Sequence, residues 1–332
     1  MPETPLIIRL WERLCHERGA KLVWDEDNRH CGGIIVFADG RRQPFRAREL
    51  GINLAGPSTL VNNKAATAFV LAALGYSVPE GRLFPVGGGA EQQHEALAYA
   101  RALGWPVIVK PNDRALGRGV SKVEVEEDFA AAWAAVRDFD ADVLVQRWYA
   151  GADYRVVVFD DDIVAAYLRA PPELVGDGER TLAELCADYD RQLVADKRST
   201  LFDPDDPSVR RTLGHQGLTM DSVPAKGRVV ALLPNANLSM GGSAIDLTER
   251  LHPEWRALCL GLRRDLGMRL CGIDLLGGDA TAPLGAHVVL EVNRIPGMAH
   301  YASLGPLQRQ RVDDVYRRLL REIERSSPEL RP

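Results

Sequence analysis

None of the five cysteines, Cys15, Cys31, Cys186, Cys259 and Cys271, stands in a Cys-x-x-Cys pair. Without that spacing the chain offers neither a zinc knuckle nor a disulfide framework, and a reducing cytoplasm fits. No basic stretch at the N-terminus leads into an apolar one, and no uninterrupted apolar run approaches bilayer-spanning length, so no signal peptide or membrane anchor is expected. Cationic excess is missing too. The formal net charge is -5, whereas a surface that tracks a nucleic-acid backbone is usually strongly basic, so no nucleic-acid partner is expected. Internal repeats are absent. What remains is 332 residues, 46% hydrophobic and 26% charged, an ordinary globular composition with chain enough for two or three lobes.

Patterning along the chain predicts a mixed α+β (α/β) protein in three parts: a small α/β unit at 1–60, a lobe at 61–142, and a C-terminal lobe at 143–332 with an insertion at about 170–230. Leu6, Ile7, Leu10, Leu14 and Cys15 recur near helical spacing, and Lys21 to Trp24 and Gly33 to Phe37 read as strands. Helices are expected at Ala65 to Leu74, Glu91 to Leu103, Glu127 to Phe139, Leu182 to Leu193, Pro253 to Leu266 and Gln308 to Glu324. Strands are expected at Val107 to Pro111, Lys122 to Val125, Val143 to Gln146, Tyr154 to Phe159, Ile163 to Leu168, Cys271 to Leu276 and Val288 to Asn293. The Pro- and Asp-rich stretch Asp203 to Pro207 reads as mobile. The apolar residues of the first 60 would suit a homodimer interface.

Three constellations carry candidate chemistry. In the strand around Val288 to Asn293, the period of two puts Glu291 and Asn293 on one face, and Asp274 sits in the apolar run before it. These three form an all-oxygen set of the kind Mg²⁺ prefers, although polar residues on the wet face of a hairpin would look the same. Lys110 emerges where an apolar strand ends. The loop Arg114 to Ser121 follows it, with Gly117 and Gly119 letting backbone amides, Arg118 and Ser121 close on phosphate oxygens; a plain hairpin turn would also explain it. It is not a Walker A loop, since no Gly-Lys-Ser/Thr follows. The third runs from Val143 to Arg155, where Gln146, Arg147 and Trp148 could meet a purine edge and Asp153 a ribose, or simply form a solvated strand connection.

In order along the chain, Asn62-Asn63-Lys64, Val109-Lys110-Pro111, Gly117 to Ser121, Gly151 to Val156, Val175 to Gly178, Asp221 to Pro224, Asn237 to Asp246 and Glu291-Val292-Asn293 resemble the ATP-grasp superfamily. Within it the chain is similar to the cyanophycin-synthetase and glutamate-cysteine-ligase-like branch over about residues 50–300. The resemblance implies an ATP-grasp fold in which two α+β lobes grip ATP. It implies Lys64 and Lys110 on the phosphates, residues 114–121 as a flap, Gln146 to Trp148 at the adenine and Asp153 at the ribose. It also implies Asp274, Glu291 and Asn293 on two Mg²⁺ ions, for which Mn²⁺ could substitute. Family members often carry Glu where this chain has Gln146, an amide that still hydrogen-bonds. Arg155, Asn237 and Arg294 are candidates for stabilising the transferring phosphoryl group or orienting the acyl substrate. His215 and His300 could touch substrate, although such histidines are more often merely exposed.

The expected activity is ATP-dependent ligation of a carboxylate to an amine through an acylphosphate, between small molecules such as amino acids, with glutamate or aspartate as acyl donor. Cyanophycin synthetase carries large additional domains at both ends, so a stand-alone ligase is expected here rather than a polymer synthetase. An ATP-binding regulator without turnover, or a small-molecule kinase, are the alternatives.

Overall fold

A computed structural model of the protein describes residues 6–26, 31–85, 87–114, 117, 119–139, 141–195, 203–233, 236, 238 and 241–326. At the N-terminus, α1 (Leu6–Glu17) packs with a three-stranded antiparallel sheet of β1 (Lys21–Trp24), β2 (Gly32–Val36) and β3 (Arg42–Arg46). β3 is absent from the sequence expectation because only Phe45 in it is buried, too little apolar signal to mark a strand. Ile8, Trp11 and Leu14 line one face of α1 and share a core with Val157, Phe159, Tyr316 and Leu319. The dimer face expected from the first 60 residues is therefore mostly internal, leaving, among the described residues, Val23, Ile34 and Leu54 as its exposed large apolar side chains.

After α2 (Ala55–Leu60) and α3 (Lys64–Ala73) comes a four-stranded antiparallel sheet in the order β4-β7-β5-β6. Its strands are β4 (Gly81–Phe84), β5 (Val107–Pro111), β6 (Ser121–Val123) and β7 (Val143–Arg147). Val107, Val109, Val143 and Val145 are buried under α4 (Gly89–Leu103) and α5 (Phe129–Arg137). The alternate residues Ile108, Lys110, Leu144 and Gln146 must then face the other way. β7, which a boundary after residue 142 would assign to the C-terminal lobe, is hydrogen-bonded inside this sheet between β4 and β5.

The C-terminal sheet has the order β12-β9-β8-β13-β14 and is antiparallel throughout. It comprises β8 (Ala152–Phe159), β9 (Asp162–Ala170), β12 (Ser243–Asp246), β13 (Leu270–Gly277) and β14 (His287–Asn293). Val156, Val158, Ile273 and Leu275 pack on Trp255, Cys259 and Leu262 of α8 (Pro253–Asp265). Behind the opposite face run α9 (Ala299–Ala302) and α10 (Pro306–Ser326), whose side chains cover its Val157, Phe159 and Ala165 end as far as Tyr167, on which Tyr301 stacks. The other end of that face carries charges instead, and the candidate site lies there.

The insertion folds around a core of its own. β10 (Glu173–Val175) pairs with β11 (Val229–Ala231), and Leu182 and Cys186 of α6 (Leu182–Ala195) meet Val209 and Leu213 of α7 (Pro207–His215) and Val230. The segment expected to be mobile starts α7: the Asp206 side chain accepts from the Ser208 amide at 2.7 Å, an N-cap. His215 reaches 3.4 Å from Asp128, tying the insertion to the first lobe. No helix among the described residues is long and apolar enough to cross a membrane.

Candidate functional site

Strand register assembles the charged end of the C-terminal sheet. Asp274 on β13 lies directly opposite Arg155 on β8 and Glu291 on β14, Asp153 lies opposite Arg169, and Asn293 opposite Gly272. Directly opposed residues share a face, so all of these side chains rise from the same side. The ladder shifts between Asp274 and Leu275, a bulge of the kind that re-aims side chains beside active sites. Gly272 is required for space: a Cβ there would stand 2.9 Å from Pro296 and 3.2 Å from the Arg155 Cδ.

Charges on this face alternate. Arg155 grips Asp274 through two hydrogen bonds, one of them Nη2 to Oδ2 at 2.8 Å, and Arg169 Nη2 stands 3.2 Å from the same Oδ2. Arg169 also donates to Asp153 Oδ1 from Nε at 2.9 Å and from Nη2 at 2.5 Å. Burial opposes charge on Asp274, but Arg155 and Arg169 outweigh it and hold the carboxyl below the usual carboxylate range. Arg155, equally buried, stays a cation because Asp274 faces it.

The first lobe adds two lysines. Asn112, 3% exposed, ties the end of β5 to the start of α3: its carbonyl accepts from the Lys64 amide at 3.2 Å and its Oδ1 from the Ala65 amide at 2.9 Å. That splice brings Lys64 and Lys110 together, and the sequence hinted at it only as a lone Asn after Lys110-Pro111. Lys64 Nζ donates to the Arg114 carbonyl at 2.6 Å and stands 3.9 Å from Glu291 Oε1. Lys110 is 9% exposed; burial pushes its ammonium down to about 8, with Lys64 adding to the fall and Glu291 and Asp274 opposing it. A crevice bounded by Lys64, Thr67, Leu71, Val289 and Glu291 opens between α3 and β14.

Several expected residues are placed elsewhere. Arg147 follows Gln146 by one, so its guanidinium points to the helix side, where it meets Glu80 at 2.9 Å and the Leu103 carbonyl at 2.6 Å. Gln146 is buried on the Lys110 side, while Trp148 lies beneath the Lys122 ammonium at 4.4 Å. The Arg114 guanidinium turns to the Phe139 carbonyl at 2.8 Å, leaving only its backbone oxygen toward Lys64. Arg294 is half-exposed and stands 3.6 Å from Glu49. Gly117 and Gly119 both have positive φ, and Ser121 is buried at the start of β6. Arg118 and Asn237 lie outside the described residues. Arg169 is the residue sequence reading missed: in Tyr167-Leu168-Arg169 it reads as an ordinary strand-end cation.

Residues 71–195 match the family model described as D-ala D-ala ligase C-terminus. Cyanophycin synthetase of Trichormus variabilis is 35% identical over 261 residues, 76% of this chain and 28% of that protein. The glutathione biosynthesis bifunctional protein GshAB of Mannheimia succiniciproducens is 34% identical over 256 residues, 72% of this chain and 32% of the relative. The crystal structure of a bifunctional glutathione synthetase from Pasteurella multocida superimposes with a TM-score of 0.56 at 26% identity, covering 91% of this chain and 42% of that one. The chain belongs to the ATP-grasp superfamily. This ATP-grasp chain spans 28% and 32% of the lengths of the two curated relatives. Its mixed α and β architecture agrees with the fold expected from sequence.

Proposed function

We propose that this ATP-grasp chain is an ATP-dependent carboxylate-amine ligase that joins two small molecules, amino acids in particular, through an acylphosphate. The observation that carries the reading is the convergence of Lys64 and Lys110 on Glu291, with Asp274 and Arg155 beside it. Phosphoryl transfer to a carboxylate brings several anionic oxygens together, and catalysis is mainly the neutralisation of that charge by pre-placed cations. The names of the relatives, a cyanophycin synthetase and a glutathione biosynthesis protein, refer to products with amide bonds between amino acids, which supports the same class.

Asp274, Glu291 and Asn293 offer oxygen donors, and the Asn293 side-chain nitrogen is buried with no hydrogen-bond partner, so the amide can turn its oxygen inward without breaking a bond made by that nitrogen. The three residues thus fit Mg²⁺, which we take as two ions with Mn²⁺ able to substitute. Bound there, the metal would supply Lewis-acid stabilisation of the phosphate oxygens. Lys64 and Lys110 hold the phosphate chain, Gln146 and the backbone near Trp148 meet the purine, and the loop from Arg114 to Ser121 closes over the nucleotide. A substrate carboxylate oxygen attacks the γ-phosphorus, the bond to ADP breaks, and Arg155 stabilises the transferring phosphoryl group. The amine then attacks the acyl carbon of the acylphosphate, phosphate leaves, and the amine gives up a proton as the amide forms. Glutamate or aspartate is the proposed acyl donor, which would make a γ-glutamyl or similar dipeptide. Buried free thiols at Cys15, Cys186, Cys259 and Cys271 support a reducing, cytoplasmic setting.

The test is release of ADP and inorganic phosphate from ATP over single amino acids and their pairs. Phosphate released only with a pair is the expected result. ADP with a stable phosphorylated product would make the protein a kinase, and tight ATP binding without turnover would make it a regulator.

A further inference from the structure

Asp274 is both a candidate metal ligand and the most heavily paired carboxylate of the site. Its two oxygens already face the guanidinium groups of Arg155 and Arg169. A divalent ion cannot share that buried carboxylate with both arginines, because like charges in a low-dielectric shell repel strongly. The two arginines differ in where they can retreat. Arg169 is already held by Asp153 through two hydrogen bonds at the directly opposed position on β8. Arg155 makes its described ion pair with Asp274 alone.

We propose that Asp153 is the counter-ion that draws Arg169 away from Asp274, opening Asp274 to a divalent cation, and that Asp153 and Arg169 act as positioning residues for the metal site. This assigns Asp153 a partner other than the ribose expected from sequence. The register supports it: Asp153 and Arg169 face each other across two strands, and Asp153 Oδ1 receives both Arg169 bonds. Arg169 Nη2 is shared here, 2.5 Å from Asp153 Oδ1 and 3.2 Å from Asp274 Oδ2; when it shifts wholly onto Asp153, one guanidinium rather than two competes for Asp274. Arg155 is then the group released toward the phosphoryl oxygens, since it has no second carboxylate to hold it. The inference rests on Asp274 being a metal ligand, as proposed above.

The test is direct Mn²⁺ binding to the full chain with ADP, read by electron paramagnetic resonance and therefore independent of turnover. Asp153→Asn leaves Arg169 with Asp274 as its remaining carboxylate and is expected to weaken Mn²⁺ by about tenfold, within the range of coupling between contacting charges. Arg169→Gln is expected to tighten Mn²⁺, and the double variant Asp153→Asn/Arg169→Gln to return to within about twofold of the parent, since nothing is left to park. Asp153→Glu keeps the charge and is expected to retain parent affinity, which a loss of fold would not. Relative affinity for ADP and 2′-deoxy-ADP is expected to be the same in parent and Asp153→Asn. Unchanged Mn²⁺ affinity in Asp153→Asn, weaker binding in Arg169→Gln, or loss of discrimination against the deoxynucleotide would each overturn the proposal. Absence of Mn²⁺ binding to the parent with ADP would instead overturn the metal-site reading beneath it.

Discussion

Lys110 should make nucleotide binding fall with rising pH in a window where few other groups titrate. Burial pushes its ammonium from the ordinary 10.5 down to about 8. In the empty protein about nine in ten molecules would carry the charge at about pH 7, and about one in ten at about pH 9. A nucleotide phosphate demands the charged form, so its affinity should drop by about tenfold between those values, with a limiting slope of one decade per pH unit. The same shift affects the fold in the opposite direction. Between about pH 8 and 10.5 the unfolded chain binds more protons than the folded one, so stability rises with pH across that window, by on the order of 3 kcal/mol in total. The assay is calorimetric titration with Mg·ADP, whose phosphates are already ionised above about pH 7, at constant ionic strength. Lys110→Arg keeps a permanent charge and should flatten the profile. A dissociation constant that does not move over this range, or an identical slope in Lys110→Arg, would refute the reasoning.

Three further perturbations separate folding from chemistry. Asp274→Asn removes the carboxylate between two buried guanidinium groups and should cost about 3–5 kcal/mol in urea denaturation, because an unpaired buried charge is left behind; a loss below about 1 kcal/mol would contradict the pairing. Glu291→Gln touches a side chain that is 29% exposed, so stability should change by less than about 1 kcal/mol while turnover in the phosphate-release assay falls at least about 100-fold. Near-normal turnover would remove Glu291 from the site. Gly119→Ala places a Cβ 2.9 Å from the Phe139 ring and 3.0 Å from Pro111 at a φ of 72°, which should cost about 1–3 kcal/mol. Its expected kinetic effect is a raised KM for ATP with kcat less affected, measured at saturating amino acid.

Much of the site could be read from short-range pattern. A strand period of two was enough to put Glu291 and Asn293 on one face, and the end of an apolar run was enough to expose Lys110. The same rule, followed one residue further, separates Arg147 from Gln146, although the resemblance implies both at the purine; Arg147 instead meets Glu80 behind the sheet. The insertion's polar composition hid a core, because its buried residues Leu182, Cys186, Val209 and Leu213 come from two helices that bury their apolar sides only against each other and the β10-β11 pair. β3 and α2 escaped because neither carries enough apolar periodicity to stand out.

By itself, then, the sequence determined which segments are strands and helices over most of the chain, which residue types gather at strand ends, and the order of pieces that marks an ATP-grasp protein. Tertiary structure alone decided the partners: Arg155 and Arg169 on Asp274, Asp153 on Arg169, and Asn112 joining Lys64 to Lys110. The physical reason is range. Hydrophobic period and turn chemistry act over a few residues, whereas the register that sets Asp274 opposite Arg155 is chosen by burying Val156, Ile273 and Val292 together under α8, and every charge on the other face follows from that choice.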